Sequence, residues 1–220
     1  MRHPSRPVLD TSAETDRLVA PGIVPVIESI RAANRSTMDP STLPLAEARL
    51  RYAALQREWR PTLPSDVTIE RFFVPGELSD LSAVRLLPVS TGQPAAQLLY
   101  LHGGGWVFGS IDTHLSPMAH LAARTGLEII GIDYRLAPEV PFSAALNDSL
   151  AAWHWLSRTG LADARLLPFV GGDSAGANLA VGLMLRLRSV GAPLPRAALL
   201  FYGVYAADEE SISHRTFGNG

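Results

Sequence analysis

The sequence predicts an α/β fold, a mainly parallel sheet with helices on both faces. Four short apolar runs, Leu98 to Leu101, Glu128 to Asp133, Leu166 to Val170 and Ala197 to Tyr202, alternate with helical patterns over His114 to Arg124, Phe142 to Arg158 and Ala175 to Val190. Runs this short, apolar on both faces, belong to strands buried from both sides by crossover helices. The composition agrees: 47% of the 220 residues are hydrophobic and 18% charged, enough for one substantial core with an appended subdomain.

A formal net charge of -2 gives no electrostatic reason to expect nucleic acid or an anionic membrane as a partner. The absence of cysteine excludes a disulfide framework and any thiolate metal site. MRHPSRPVLD has two arginines but no following apolar run long enough for a signal peptide, and no later segment approaches a membrane span. The expectation is a soluble cytoplasmic protein.

Residues 1 to about 14 are polar and punctuated by proline. Thr15 to Ser36 reads as two short helices, because Pro21-Gly22 and Pro25 interrupt its pattern. Pro44 to Trp59 is a better helix, with Leu45, Ala48, Tyr52, Leu55 and Trp59 recurring at spacings of three and four, and Arg60-Pro61 ends it. Val67 to Val74 and Leu81 to Leu87 then read as two strands of a hairpin turned at Pro75-Gly76. Further on, Pro141 starts a helix whose Phe142, Leu146, Leu150 and Trp153 form a stripe facing the sheet, and Gly160 is placed to end it. Trp153 and Trp155 read as packing residues.

The chemistry is concentrated in two glycine-rich stretches. Gly172, Ser174 and Gly176 form a GxSxG pentad between an apolar run and a helical pattern, which is strand, sharp turn, helix. Such a turn pushes the serine hydroxyl out at the C-terminal end of a sheet, so Ser174 is the candidate nucleophile; an ordinary glycine-rich turn is the alternative. The second stretch, His102-Gly103-Gly104-Gly105-Trp106, follows the run Gln97 to Leu101 and frees consecutive backbone N–H groups to face one concavity. Beside a nucleophilic serine, such a nest and the N–H of Ala175 would hold the oxyanion of a tetrahedral intermediate. A phosphate loop is the competing reading, but neither GxGxxG nor GxxxxGK[ST] is present.

HGGGW at His102 to Trp106, YRLAPE at Tyr134 to Glu139 and GDSAGAN at Gly172 to Asn178 together resemble the hormone-sensitive-lipase-like branch of the α/β-hydrolases, a family of carboxylesterases. Ala177 departs mildly from that pattern, which usually has glycine there. The resemblance implies an α/β-hydrolase core over 65–220, incomplete at its C-terminal end, and an N-terminal helical cap region over 1–64. On the residues alone, the N-terminal helices could equally cover one end of the sheet. It also implies that His102 supports the oxyanion loop and that the substrate is a small acyl ester. Arg135 and Glu139 read as fixing the loop after their strand.

Ser174 needs a base. In this fold the triad runs serine, acid, histidine along the chain, so histidines before Ser174 fail on topology. His114, His120 and His154 read as surface or partly buried polar residues, and Asp148 and Asp173 as hydrogen-bonding scaffold. The tail from Ala175 to Gly220 contains Asp208, Glu209, Glu210 and one histidine, His214. A further βαβ unit takes about 30 residues, and after Tyr202 there is room for neither of the two strand ends that carry the acid and the base. Asp208 with His214 is therefore not the expected triad pair.

Three readings follow. The first is a serine carboxylesterase in which Ser174 attacks the carbonyl and the N–H groups of Gly104, Gly105 and Ala175 stabilise the oxyanion, with Gly103 shaping the loop and no metal or cofactor required. The chain would then be a piece of a longer esterase, or a short form that has lost or borrows its base. The second is a non-catalytic ligand-binding protein or truncated paralogue on the same fold. The third is a half-protein that assembles with a separate polypeptide. Without later strands, Ala197 to Tyr202 would be an open apolar edge, which calls for a second copy or a partner chain to cover it.

Overall fold

The computed structural model describes residues 21–25, 27–29, 32, 43–58, 60–89, 94, 96–159 and 167–205. The chain divides into two compact units, 1–48 with 206–220 and 49–205. In the smaller unit, residues 24–25 and 27–29 are helical, and Pro25 stands within the helix. There a missing N–H costs nothing, because first-turn amides have no intrahelical acceptor. The rest of the expected Thr15–Ser36 helical region lies largely outside the described residues.

Helix α1 spans Leu45–Glu58. The larger unit then holds β1 (Val67–Val74), β2 (Leu81–Pro88), β3 (Gln97–Leu101), α2 (Ile111–Thr125), β4 (Glu128–Ile132), α3 (Phe142–Thr159), β5 (Phe169–Asp173), α4 (Ala175–Ser189) and β6 (Ala198–Phe201). The strands lie in the order β1-β2-β4-β3-β5-β6. The expected hairpin forms, with Val67 opposite Pro88 and Val74 opposite Leu81. β2 pairs antiparallel with β4, while β4-β3, β3-β5 and β5-β6 are all parallel.

Alternation along β3 shows how the layers form. Leu99 and Leu101 point into a cluster with Trp153 and Leu156 of α3 and Leu179 and Leu183 of α4. Leu98 and Tyr100 point the other way, onto Ile111, Met118 and Ala122 of α2. Successive strand residues face opposite sides, so one wholly buried strand supplies both cores.

Two expected elements are shifted. β5 ends at Asp173 rather than Val170, because the strand continues through Gly171 and Gly172, paired with Tyr100 and Leu101 of β3. The buried face of α3 is Ala144, Ala145, Asp148, Ser149, Ala152, Trp153 and Leu156, whereas Phe142 is 49% exposed. Small residues set the helix close to the sheet, and Leu146 and Leu150 pack at its flank. Gly160, the expected end of α3, lies outside the described residues. Trp153 is buried and Trp155 packs on Phe72 with ring centroids 5.4 Å apart, so both are packing residues.

Candidate active site

Strand order places the site. From β3 the chain crosses to β4 on one side, and the later strands β5 and β6 lie on the other. At such a switch point the loops beyond the C-terminal strand ends diverge and leave a crevice. The glycine loop leaves β3 here, and the serine turn leaves β5.

Ser174 sits between β5 and α4 with φ 50° and ψ -116°, a conformation L-residues rarely adopt. Its N–H donates to Phe201 O at 2.9 Å, tying the turn to β6. The flanking glycines are dictated by space. A Cβ on Gly176 would lie 1.9 Å from Leu101 O, and one on Gly172 would lie 2.2 Å from the same oxygen. Strand, turn and helix can be this close only without side chains there. Ala175 opens α4, so its N–H has no intrahelical acceptor.

The loop after β3 is held on both sides of Gly103. Its N–H donates to Asp173 Oδ1 at 3.0 Å, and a Cβ at this position would lie 2.1 Å from Asp173 Oδ2. Its carbonyl lies 2.9 Å from His102 Nδ1, and since a carbonyl only accepts, Nδ1 carries the proton. A trans peptide sets C=O and N–H on opposite sides, so fixing the Gly103 carbonyl toward His102 turns the Gly104 N–H away from it. Gly104 and Gly105 follow with φ 121° and 60°.

His102 is buried, stacks on Tyr134 at 4.2 Å, and is lowered to a pKa of about 4, chiefly by burial. It is neutral at pH 7 and supports the loop. Tyr134 donates to His102 O at 2.7 Å. Arg135 binds Asp148 through its backbone N–H and its guanidinium, and also reaches Glu77 at 2.8 Å. Glu139 instead accepts from Arg49 of α1, whose guanidinium also donates to Val107 O at 2.8 Å and Ala137 O at 3.0 Å. The part of α1 from Arg49 onward therefore packs on the glycine loop and on the loop after β4.

Asp173 collects four donors. Tyr100 OH at 2.9 Å and Gly103 N–H share Oδ1, while Tyr202 OH at 3.2 Å and His114 Nε2 at 3.3 Å face Oδ2. Burial pushes this carboxyl up, but the bonds from His114, Tyr100 and Gly103 outweigh it and hold the group below the usual carboxylate range. The scaffold role expected for Asp173 and Asp148 is thus what the geometry supplies.

His114 is the residue that sequence reasoning undervalued, since it is 7% exposed and bound to Asp173. Its signal was its place in the first turn of α2, which begins at Ile111 rather than His114 behind a Ser110 cap. His120 is partly buried with Nε2 3.1 Å from Thr62 O, and His154 is exposed. Asp208, Glu209, Glu210 and His214 lie outside the described residues. Cavities of about 620 Å³ and about 320 Å³ open along α2 beside His114 and Asp173; Ser174 lines neither. Among the described residues no cluster of three or more His, Asp or Glu is arranged to hold a metal ion, and no helix is long and apolar enough to cross a membrane.

The fold thus brings a serine on a strained strand-to-helix turn after β5 next to a glycine-rich loop that leaves the neighbouring strand β3. The profile of the alpha/beta hydrolase fold matches residues 98–220, and the chain belongs to that family, within its hormone-sensitive-lipase-like carboxylesterase branch. It is 36% identical over 177 residues to an acetyl esterase of Salmonella paratyphi B, a match covering 78% of this chain and 54% of that protein. An ester-hydrolase, EH1AB1, from the metagenome of Lake Arreo, solved with a derivative of bipyridine phosphonate, is similar with a TM-score of 0.81 and 32% identity over 89% of this chain and 63% of that one. An esterase from the bacterial hormone-sensitive lipase family has a TM-score of 0.75 and 32% identity over 89% of this chain and 61% of that one. The chain thus spans about half the length of the curated relatives it matches.

Proposed function

We propose that this protein is a serine carboxylesterase that hydrolyses small acyl esters through an acyl-enzyme. Ser174 attacks the ester carbonyl, the oxyanion forms against the N–H groups of Gly104, Gly105 and Ala175, and collapse expels the alcohol. Gly103 shapes the loop and donates nothing to substrate, because its N–H is engaged by Asp173. The observation that carries this reading is Ser174 at φ 50° between two glycines that admit no Cβ. Similarity to an acetyl esterase supports a short acyl group. No metal or cofactor enters this chemistry. The protein acts in the cytoplasm.

A second reading, a non-catalytic ligand-binding protein on the same fold, is favoured by one observation. The rings of His102, His114 and His120 bond to Gly103, to Asp173 and Thr113, and to Thr62, and none of them is hydrogen-bonded to Ser174. Hydrolysis of p-nitrophenyl acetate by the 220-residue chain, beside Ser174→Ala and His214→Ala, separates the two. Turnover lost in Ser174→Ala supports the esterase, and its loss in His214→Ala as well assigns the base. Equal, slow rates in all three chains support the binding protein, since losing the base alone costs about 10⁶-fold in serine hydrolases.

A further inference from the structure

We infer that His114 is a positioning residue for the oxyanion loop, acting through Asp173 to set the direction of the Gly103 peptide. The inference rests on the proposed use of Gly104 and Gly105 as oxyanion donors, but its geometry stands apart from catalysis. Asp173 is 6% exposed and presents Oδ1 to Gly103 N–H. Oδ1 also accepts from Tyr100 OH, and a buried carboxylate is held most firmly when both of its oxygens are bound. Oδ2 has two partners, and one of them, Tyr202 OH, belongs to a residue 78% exposed just after β6. The other is His114 Nε2, delivered from the interior by α2.

His114 is itself held in place. Thr113 Oγ1 lies 2.8 Å from its Nδ1 and 2.8 Å from Ser110 O, so the Thr113 hydroxyl proton can turn to either acceptor. With the hydroxyl turned to His114, Nδ1 accepts and Nε2 carries the proton that Asp173 needs. With it turned to Ser110 O, Nδ1–H can donate to Thr113 Oγ1 while Nε2–H still faces Asp173. Both protonation states therefore keep the bond to the carboxylate. The same Thr113 closes the capping box of α2, through Ser110 N–H to Oγ1 at 2.8 Å and Thr113 N–H to Ser110 Oγ at 3.2 Å. The start of α2 is thereby coupled to β5 and, through Gly103, to the loop beside Ser174.

The test uses glycine-¹⁵N-labelled wild-type chain, His114→Leu and His114→Gln, with amide exchange read at Gly103 against Gly131 and Gly171 inside the sheet. Gln places an amide N–H₂ near the position of Nε2 and restores the donor; Leu removes it. Gly103 exchange at least tenfold faster in His114→Leu, restored in His114→Gln, with Gly131 and Gly171 unchanged, is the expected result. Equal Gly103 exchange in all three chains overturns the inference. Should His114→Leu fail to fold, His114→Asn replaces it, because its shorter amide reaches toward Thr113 and not Asp173. It must then show the same loss. Where hydrolysis depends on Ser174, kcat falls about 10- to 100-fold in His114→Leu with KM unchanged, and His114→Gln recovers it. If Gly103 responds to His114 but Ser174→Ala hydrolyses ester as fast as wild type, the esterase reading fails and the positioning role stands.

Discussion

Ser174 and its neighbours carry two different backbone constraints. Gly176 is constrained by space, since any Cβ would overlap Leu101 O, and relief would require β3 and α4 to separate. Gly176→Ala should therefore cost about 3 kcal/mol, measured as a lower urea midpoint at unchanged m-value. Ser174 is constrained by conformation, at φ 50° with a Cβ. Ser174→Gly should raise stability by about 1 kcal/mol while abolishing hydrolysis, whereas Ser174→Ala leaves the strain in place. A Ser174→Gly chain no more stable than Ser174→Ala would show that the turn is unstrained.

Among the elements, α1 and α3 are tied to the site by ion pairs of unequal worth. Asp148 of α3 is fully buried and binds both the backbone N–H and the guanidinium of Arg135, so truncation leaves that N–H without its acceptor and the guanidinium with Glu77 alone, beside a cavity where the carboxylate stood. Asp148→Ala should cost about 3 kcal/mol. Glu139 meets Arg49 of α1 with its side chain 54% exposed, and there solvent screens the pair. Glu139→Ala should cost less than about 1 kcal/mol. Thermal unfolding of the two variants ranks them, and the reverse order would refute the argument.

For the whole molecule, acid is the sensitive direction. His102 has its pKa lowered from 6.5 to about 4 in the folded chain, so the unfolded chain binds a proton first. Its contribution is fully present above pH 6.5 and is lost as pH falls through about 4, about 3 kcal/mol at 1.36 kcal/mol per unit. Asp173 is also lowered in the folded state, so its contribution is present above the ordinary value of 3.8 and is lost below it. Urea unfolding between pH 7 and 4 should show the loss, and His102→Gln, unable to titrate, should flatten the profile. A parallel profile in that variant would remove His102 as the cause.

Much of this was legible in the sequence because its causes are local. Glycines at 172 and 176, a serine between them and an apolar run before them require a tight strand-to-helix turn wherever the chain is folded. Alternating strands and helices likewise dictate the layered sheet, because each run must bury both faces. The partners across the fold were not legible. Nothing in the order of residues says that Asp173 reaches Gly103, that His114 faces it from α2, or that Arg49 grips Glu139, separated by 90 positions in the chain. Nor could the exposure of Phe142 on α3 be read, since the helix's buried face was set by how closely small residues let it approach. Sequence by itself determined the fold class, the strained serine turn and the glycine loop after β3, all set by short-range backbone sterics. Only the tertiary structure decided which carboxylate and which imidazole hold that loop, because a hydrogen bond is directional and depends on where distant strands and helices place their ends.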